Sequence, residues 1–103
     1  MSTYNKIEII LSDIYLETLI QHLETLGVTG YTVLPINKSK GPKRGEQQLD
    51  GLLPTSNNSL FFTVVSPALS QVILSKIQPF LDKISGVLIV SAVSSTNLSS
   101  KHH

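Results

Sequence analysis

The chain has 103 residues, which is enough for one domain with a hydrophobic core, because 41% of the residues are hydrophobic and 15% are charged. A net charge of +1 excludes a generally basic nucleic-acid-binding protein, and the absence of cysteine excludes disulfides and thiolate metal sites. No run approaches the ~18 apolar residues of a membrane span, and the N-terminus lacks the apolar segment of a signal peptide. The sequence therefore predicts a cytoplasmic protein.

The first third of the chain predicts a strand, a helix and a second strand. Residues 6–11 are mostly apolar and β-branched, which is typical of a strand, and Ser12 or Asp13 can cap the helix that follows. Apolar residues recur at helical spacing from 14 to 26, and Gly27 suits the left-handed position that ends a helix. Residues 30–36 predict a second strand, in which Pro35 indicates an edge position or the end of the strand.

The second half of the chain predicts a strand, a long helix and a last strand. Residues 59–65 are apolar and uncharged, which predicts a central strand buried on both faces. Ser66 can cap the next helix and Pro67 suits its first position, while Pro79 predicts a kink or a restart. Residues 87–93 predict the last strand, and the Ser-rich residues 94–103 predict a flexible tail.

This element order is the split βαβ plan of the ferredoxin-like fold, βαββαβ. We therefore expect one α+β domain over residues 1–93, with two helices on one face of a four-stranded antiparallel sheet. The strands are too apolar for the other face to remain in water, because monomers rarely expose large apolar patches. We expect self-association through that face, and the pattern fits a dimer and a closed trimer equally.

A polar insert of about twenty residues, 37–58, joins the second and third strands, and loops of that length in compact domains usually have a function. It holds four of the eight Lys and Arg residues. Its glycines have neither P-loop nor Rossmann spacing. The cations could contact an anion or an acidic partner, or they could simply keep the loop solvated.

The chain offers no evident catalytic or metal-binding group. His22 lies on a predicted helix surface without a second histidine at ligand spacing, and the carboxylates are scattered along the chain. Nucleophilic catalysis needs a base held beside a serine, and no such pair can be identified. We expect no catalytic residue, no metal ligand and no enzymatic turnover.

Two segments resemble the PII nitrogen-regulatory signalling family. They are the turn at residues 27–33, Gly-Val-Thr-Gly-Tyr-Thr-Val, and the basic stretch at residues 38–45, Lys-Ser-Lys-Gly-Pro-Lys-Arg-Gly. Element order and the place of the insert extend the resemblance over residues 6–93. It implies a homotrimer with clefts between subunits for a small effector, an adenine nucleotide such as ATP, ADP or AMP. It also implies that the insert docks on a membrane transporter or a metabolic enzyme.

The resemblance also implies site residues. Thr32 matches the family's threonine beside the adenine, and Gly41 matches a glycine at the base of the loop. Lys43 stands where the family has a glutamine important for Mg-ATP and 2-oxoglutarate, and Gly86 is what remains of its glycine-rich phosphate loop. These four are the ligand-binding candidates. The candidates for partner docking are the polar loop residues Lys38, Lys40, Arg44, Gln47 and Asp50.

Two other hypotheses share this element order. An RNA-recognition motif stacks bases on aromatic residues of its central strands, and Phe61 and Phe62 lie in one strand. Its sequence signature is absent, so nucleic acid is not the expected partner. A CutA-like trimer is the third hypothesis, although the chain lacks the soft ligands of a metal-tolerance protein. The favoured function is a non-enzymatic, PII-like signalling protein.

Overall fold

A computed structural model describes residues 2–36 and 57–95, apart from the side chains of residues 2 and 95. Most of the insert and residues 96–103 lie outside this part. The described elements are, in chain order, β1 (Ser2–Ser12), a 3₁₀ turn (Asp13–Tyr15), α1 (Leu16–Leu26), β2 (Thr32–Ile36), β3 (Asn58–Val65), α2 (Pro67–Ile84) and β4 (Val87–Ser95). Within the described ranges, neither helix is long and apolar enough to cross a bilayer.

The strands form one antiparallel sheet in the order β2-β3-β1-β4. The two central strands pair from Asn5 with Val65 to Ser12 with Asn58. β4 lies on the other side of β1, and β2 is the edge strand beside β3. Together with the two helices this confirms the predicted α+β, ferredoxin-like fold.

The hydrophobic core lies between the helices and one face of the sheet. Alternate residues of β1 face the helices, because successive side chains of a strand point to opposite faces. The centre of the core is formed by side chains that are at most 2% exposed: Ile7, Ile9, Leu11, Leu19, Leu23, Phe61, Ile73, Ile77 and Leu81. Both helices contribute, so the sheet register and the helix positions are fixed by the same contacts.

The sheet face away from the helices, here the open face, is largely apolar. The register places on it the alternate residues that do not face the core. Leu34 and Ile89 are each 46% exposed there. The charged side chains of Lys6 and Glu8 form an ion pair of 3.8 Å, and the Lys6 ammonium lies 4.8 Å from the ring centroid of Phe62. The apolar open-face residues are Ile10, Leu34, Ile36, Leu60, Phe62, Val64, Val87, Ile89 and Val93.

The outer strands differ from their predicted lengths. β1 begins at Ser2 rather than at Lys6, because its pairing with β4 continues to Ser2 opposite Ser95. Ser94 and Ser95 therefore belong to the sheet, although the sequence placed them in the tail. β3 alternates between buried and partly or fully exposed residues. The prediction of burial on both faces is wrong for the single chain, because the helices cover only one face.

The helix boundaries also differ in part. The α-helix begins at Leu16, since Asp13–Tyr15 form a 3₁₀ turn. Ser66 caps α2 as predicted, with its Oγ accepting the Leu69 N–H at 3.1 Å. α2 then continues through Pro79, so the predicted restart is wrong. Proline at 79 deprives the Ser75 carbonyl of its helical donor, and both residues are exposed, where water can supply a hydrogen bond.

α2 ends at Ser85 in the left-handed conformation, with φ 59° and ψ 35°. This conformation costs a residue with a Cβ roughly 1 kcal/mol, and glycine avoids the cost. We expect Ser85→Gly to raise the free energy of unfolding by about 0.5–1 kcal/mol, measured by urea denaturation at fixed protein concentration. Ser75→Gly, inside the same helix, should instead lower it by about 0.5 kcal/mol. Destabilisation by both variants would contradict the strain at Ser85.

Candidate functional site

A cleft of 420 Å³ lies where β2 begins, and its volume is typical of small-molecule sites. We call it the β2 cleft. One wall is the segment 27–32, which connects α1 to β2, and the other is formed by residues 62–65 of β3. Leu69 of α2 also lines it. None of the described lining residues carries a charge.

The first wall is fixed by the end of α1. Gly27 has a left-handed φ of 112°, and its N–H donates to the Glu24 carbonyl at 3.1 Å. The Val28 N–H donates to the Leu23 carbonyl at 3.0 Å, which completes a Schellman motif. The Val28 side chain is buried. The chain therefore leaves the helix in one defined direction, toward β2.

Contacts with β3 hold the rest of this wall. The buried Thr63 hydroxyl donates to the Gly30 carbonyl. Tyr31 stacks on Phe61, with ring centroids 5.1 Å apart and an angle of 27° between the planes. The Tyr31 hydroxyl donates to Glu24 Oε2 at 3.5 Å. The position of Thr32 at the mouth of the cleft is thus set by both the core and α1.

The second wall has a strand edge that is unpaired within residues 2–36 and 57–95. Thr32 pairs with Phe62, whereas residues 63–65 continue along β1 with no β2 partner on their other side. Backbone N–H and C=O groups of a strand point alternately to its two sides. At least one residue of this stretch therefore presents both groups toward the β2 cleft. A planar ligand with its own donors and acceptors can hydrogen-bond to such an edge.

The structure places Thr32 and Gly86 far apart. Thr32 is exposed and lines the β2 cleft on one edge strand, whereas Gly86 precedes β4, the opposite edge strand. Three inter-strand spacings separate these edges, about 14 Å. Within one chain the two predicted ligand residues do not meet, so they could share a ligand only if they came from two copies.

Packing accounts for a glycine at 86. A Cβ there would lie 2.8 Å from Leu81 Cδ2 and 3.3 Å from the Ile10 carbonyl oxygen. The Gly86 N–H donates to the Leu81 carbonyl at 2.9 Å. The close approach of α2 to β1 therefore favours a small residue here, whether or not a ligand binds. A ligand role for Gly86 stays a prediction.

The other predicted site residues lie outside the described part of the chain. These are the ligand candidates Gly41 and Lys43 and the docking candidates Lys38, Lys40, Arg44, Gln47 and Asp50. Among residues 2–36 and 57–95, no three His, Asp or Glu side chains are grouped in a way that could hold a metal ion.

Sequence reasoning did not identify residues 62–65 as a wall of the site. These residues belong to an apolar run that predicts a strand, so the sequence gives no separate sign of a site there. Only the register shows that residues 63–65 extend beyond the last residue of β3 that pairs with β2. The register also separates Phe61 from Phe62. Phe61 is fully buried against the helices and Phe62 lies on the open face. The two rings therefore cannot form one stacking surface for RNA bases. The RNA-binding hypothesis rested on these two phenylalanines, and the structure does not support it.

Comparisons with known proteins agree with the fold. The family model described as nitrogen regulatory protein P-II matches residues 4–102. CPII from Thiomonas intermedia K12, a nitrogen regulatory PII-like protein, is 25% identical in its apo structure, with a TM-score of 0.71, covering 89% of this chain and 90% of that one. Its structure bound to ADP, AMP and acetate is also 25% identical, with a TM-score of 0.73 and coverage of 93% and 92%.

More distant structures share the fold alone. A PII-like signalling protein from Thermus thermophilus is 17% identical, with a TM-score of 0.72, covering 95% of this chain and 94% of that one. GlnK from B. subtilis in complex with ATP is 19% identical, with a TM-score of 0.57 and coverage of 95% and 91%. The comparison with curated proteins found no match. Because the family model spans nearly the whole sequence, the chain belongs to the nitrogen regulatory protein P-II family.

Proposed function

We propose that this chain is a non-enzymatic, cytoplasmic signalling protein that senses an adenine nucleotide and regulates a membrane transporter or an enzyme through the insert at 37–58. The observation that carries the proposal is the β2 cleft, which has the size and the hydrogen-bonding edge for a base. The similarity to CPII, whose structure was determined with ADP and AMP, supports the choice of ligand class. P-II family membership replaces the CutA-like and RNA-binding hypotheses.

The chemistry of the β2 cleft suits the adenine rather than the phosphates. Adenine carries an amino donor and ring-nitrogen acceptors, which match the unpaired N–H and C=O groups of residues 63–65. The Thr32 hydroxyl stands beside this edge, and Phe62 and Val64 supply apolar surface. A triphosphate or diphosphate needs converging N–H donors or cations, and the described lining residues offer no cation. The phosphates therefore need residues from outside this cleft.

A neighbouring copy is the proposed source of those residues. Because Thr32 and Gly86 lie on opposite edges of the sheet, a ring of copies would place the β2 edge of one subunit near the β4 edge of the next. We propose a homotrimer in which the open faces are buried and each β2 cleft is completed by a neighbour. Gly86 would lie near the phosphates, with Gly41 and Lys43 beside them. Docking on the regulated protein would use Lys38, Lys40, Arg44, Gln47 and Asp50.

Size exclusion with light scattering, followed by calorimetric titration of ATP, ADP and AMP, tests this proposal. A trimer that binds at least one of the three supports it. A trimer that binds none would retain the assembly but overturn adenine-nucleotide sensing. A monomer would overturn the inter-subunit cleft.

Thr32→Val tests the role of the cleft at one atom. Valine keeps the shape and removes the hydroxyl, so we expect the nucleotide with the highest affinity to bind about 5–10-fold more weakly, the equivalent of about one hydrogen bond. Thr18→Val makes the same change at an exposed position of α1 that does not line the cleft. It should leave the dissociation constant unchanged. Equal affinities for both variants would remove the Thr32 hydroxyl from the site.

A further inference from the structure

A second cleft, of 390 Å³, lies between the two helices. We call it the helix cleft. None of its described lining residues belongs to the β2 cleft, and it lies on the side of the sheet opposite the open face. Its lining residues come from both helices: His22, Thr25, Leu26, Lys76, Ile77, Phe80 and Lys83.

The rim of the helix cleft is basic. Lys76 and Lys83 stand two turns apart on α2, and both side chains are exposed. None of the described lining residues is acidic. Asp82, the acidic residue of α2, accepts a hydrogen bond from Gln78 at 2.8 Å, and Glu24 of α1 accepts one from Tyr31. Within the described part of the chain neither lysine has a carboxylate within ion-pair distance. The rim therefore presents two positive charges that have no ion-pair partner among the described residues.

The base of the helix cleft is apolar and aromatic. The His22 ring meets Phe80 edge to face, with centroids 5.2 Å apart and an angle of 67°. Leu26 and Phe80 are half-buried, and Ile77 is buried beneath them. An edge-to-face pair is a favourable arrangement that holds both rings in place. The helix cleft therefore combines two exposed lysines with an aromatic and apolar base.

We propose that the helix cleft binds a small organic anion with an aromatic or apolar body. Its carboxylate or phosphate group would lie between Lys76 and Lys83, and its body would pack on Phe80 and Leu26. Charge-assisted hydrogen bonds hold the anionic group, and removal of the body from water adds affinity. A volume of 390 Å³ is that of a small-molecule site. The proposal does not rest on nucleotide binding, because the described lining residues of the two clefts are all different.

Phenyl phosphate is a suitable probe, because it joins a phosphate to an aromatic ring. Amide NMR titration of the full chain should show saturable shifts at residues of the helix cleft, with a dissociation constant on the order of 1 mM. Inorganic phosphate and benzyl alcohol each lack one half of the probe and should bind at least ~10-fold more weakly. Equal binding of inorganic phosphate would overturn the aromatic part of the proposal, and shifts confined to residues 29–32 would overturn the site.

Variants test the residues themselves. Lys76→Gln with Lys83→Gln should weaken phenyl phosphate at least ~10-fold, and Phe80→Leu should weaken it ~3–5-fold while retaining an apolar side chain. Lys6→Gln removes a positive charge from the open face, on the other side of the sheet, and should change the affinity less than ~2-fold. The amide spectrum of each variant reports whether the fold is intact. If Lys6→Gln weakened binding as much as the paired change, the effect would be that of net charge, and the site would be disproved.

Discussion

Replacing Leu34 and Ile89 together by lysine should convert the assembled protein into folded monomers. Both side chains lie on the open face and are 46% exposed in the single chain, so neither is part of the core between sheet and helices. In the proposed trimer the same side chains are buried, and burying an unpaired ammonium costs several kcal/mol. Ile89 lies opposite Glu8, so a lysine there gains a partner in the monomer. Light scattering should report a mass near that of one chain.

Val72→Lys is the matched control for this pair. Val72 is 41% exposed, close to the exposure of Leu34 and Ile89, but it belongs to α2 on the opposite side of the sheet. Its substitution should leave the mass of the assembly unchanged. The monomeric variant should also lose affinity for nucleotide, because its β2 cleft would lack the neighbour's residues. Retention of the wild-type mass by Leu34→Lys/Ile89→Lys would show that the open face is not the interface.

The sequence was sufficient for the element order, because each amphipathic stripe and each capping residue acts locally. The Ser66 cap and the left-handed Gly27 are examples, and both are present as predicted. The ends of β1 and β4 were not predictable in this way. Ser2 and Ser95 have no hydrophobic pattern, and they are strand residues only because each pairs with the other. The effect of Pro79 was not predictable either. The helix continues through this proline because Pro79 lies on the side of α2 that faces water, and that side is a property of the packed structure.

Only part of the candidate site could be predicted from the sequence. The resemblance identified Thr32, and the structure places it in a cleft, but the opposite wall depends on where β2 stops pairing with β3. That is a tertiary property, which a residue pattern does not contain. Gly86 shows the converse difficulty. A glycine that matches a family motif is also favoured by the close approach of Leu81 and Ile10. A match of residue type therefore does not distinguish a ligand contact from a packing requirement.

The largest effect on stability is expected from Phe61→Ala. Phe61 is 0% exposed, lies opposite Ile9 and Val33 in the two neighbouring strands, and stacks on Tyr31. Truncating a buried phenylalanine costs about 3–5 kcal/mol, because the apolar contacts are lost and a cavity remains. Domains of this size have a free energy of unfolding of about 5–15 kcal/mol, so the loss is a large share of the total. Measured in the Leu34→Lys/Ile89→Lys background, where assembly does not contribute, the urea midpoint should fall by roughly 2–3 M.

The adjacent residue supplies the control, because Phe62→Ala removes the same ring from the open face. In the monomeric background Phe62 is only half-buried, and its removal should cost about 1 kcal/mol, part of it the contact with the Lys6 ammonium. The two variants make the same Phe→Ala change at neighbouring positions of β3. The ratio of their losses in unfolding free energy therefore shows which face of the strand packs in the core. Equal losses would contradict the register of β3. A large loss for Phe61 alone would show that the core lies on the Phe61 face of β3, because the ring of Phe62 lies on the opposite, open face.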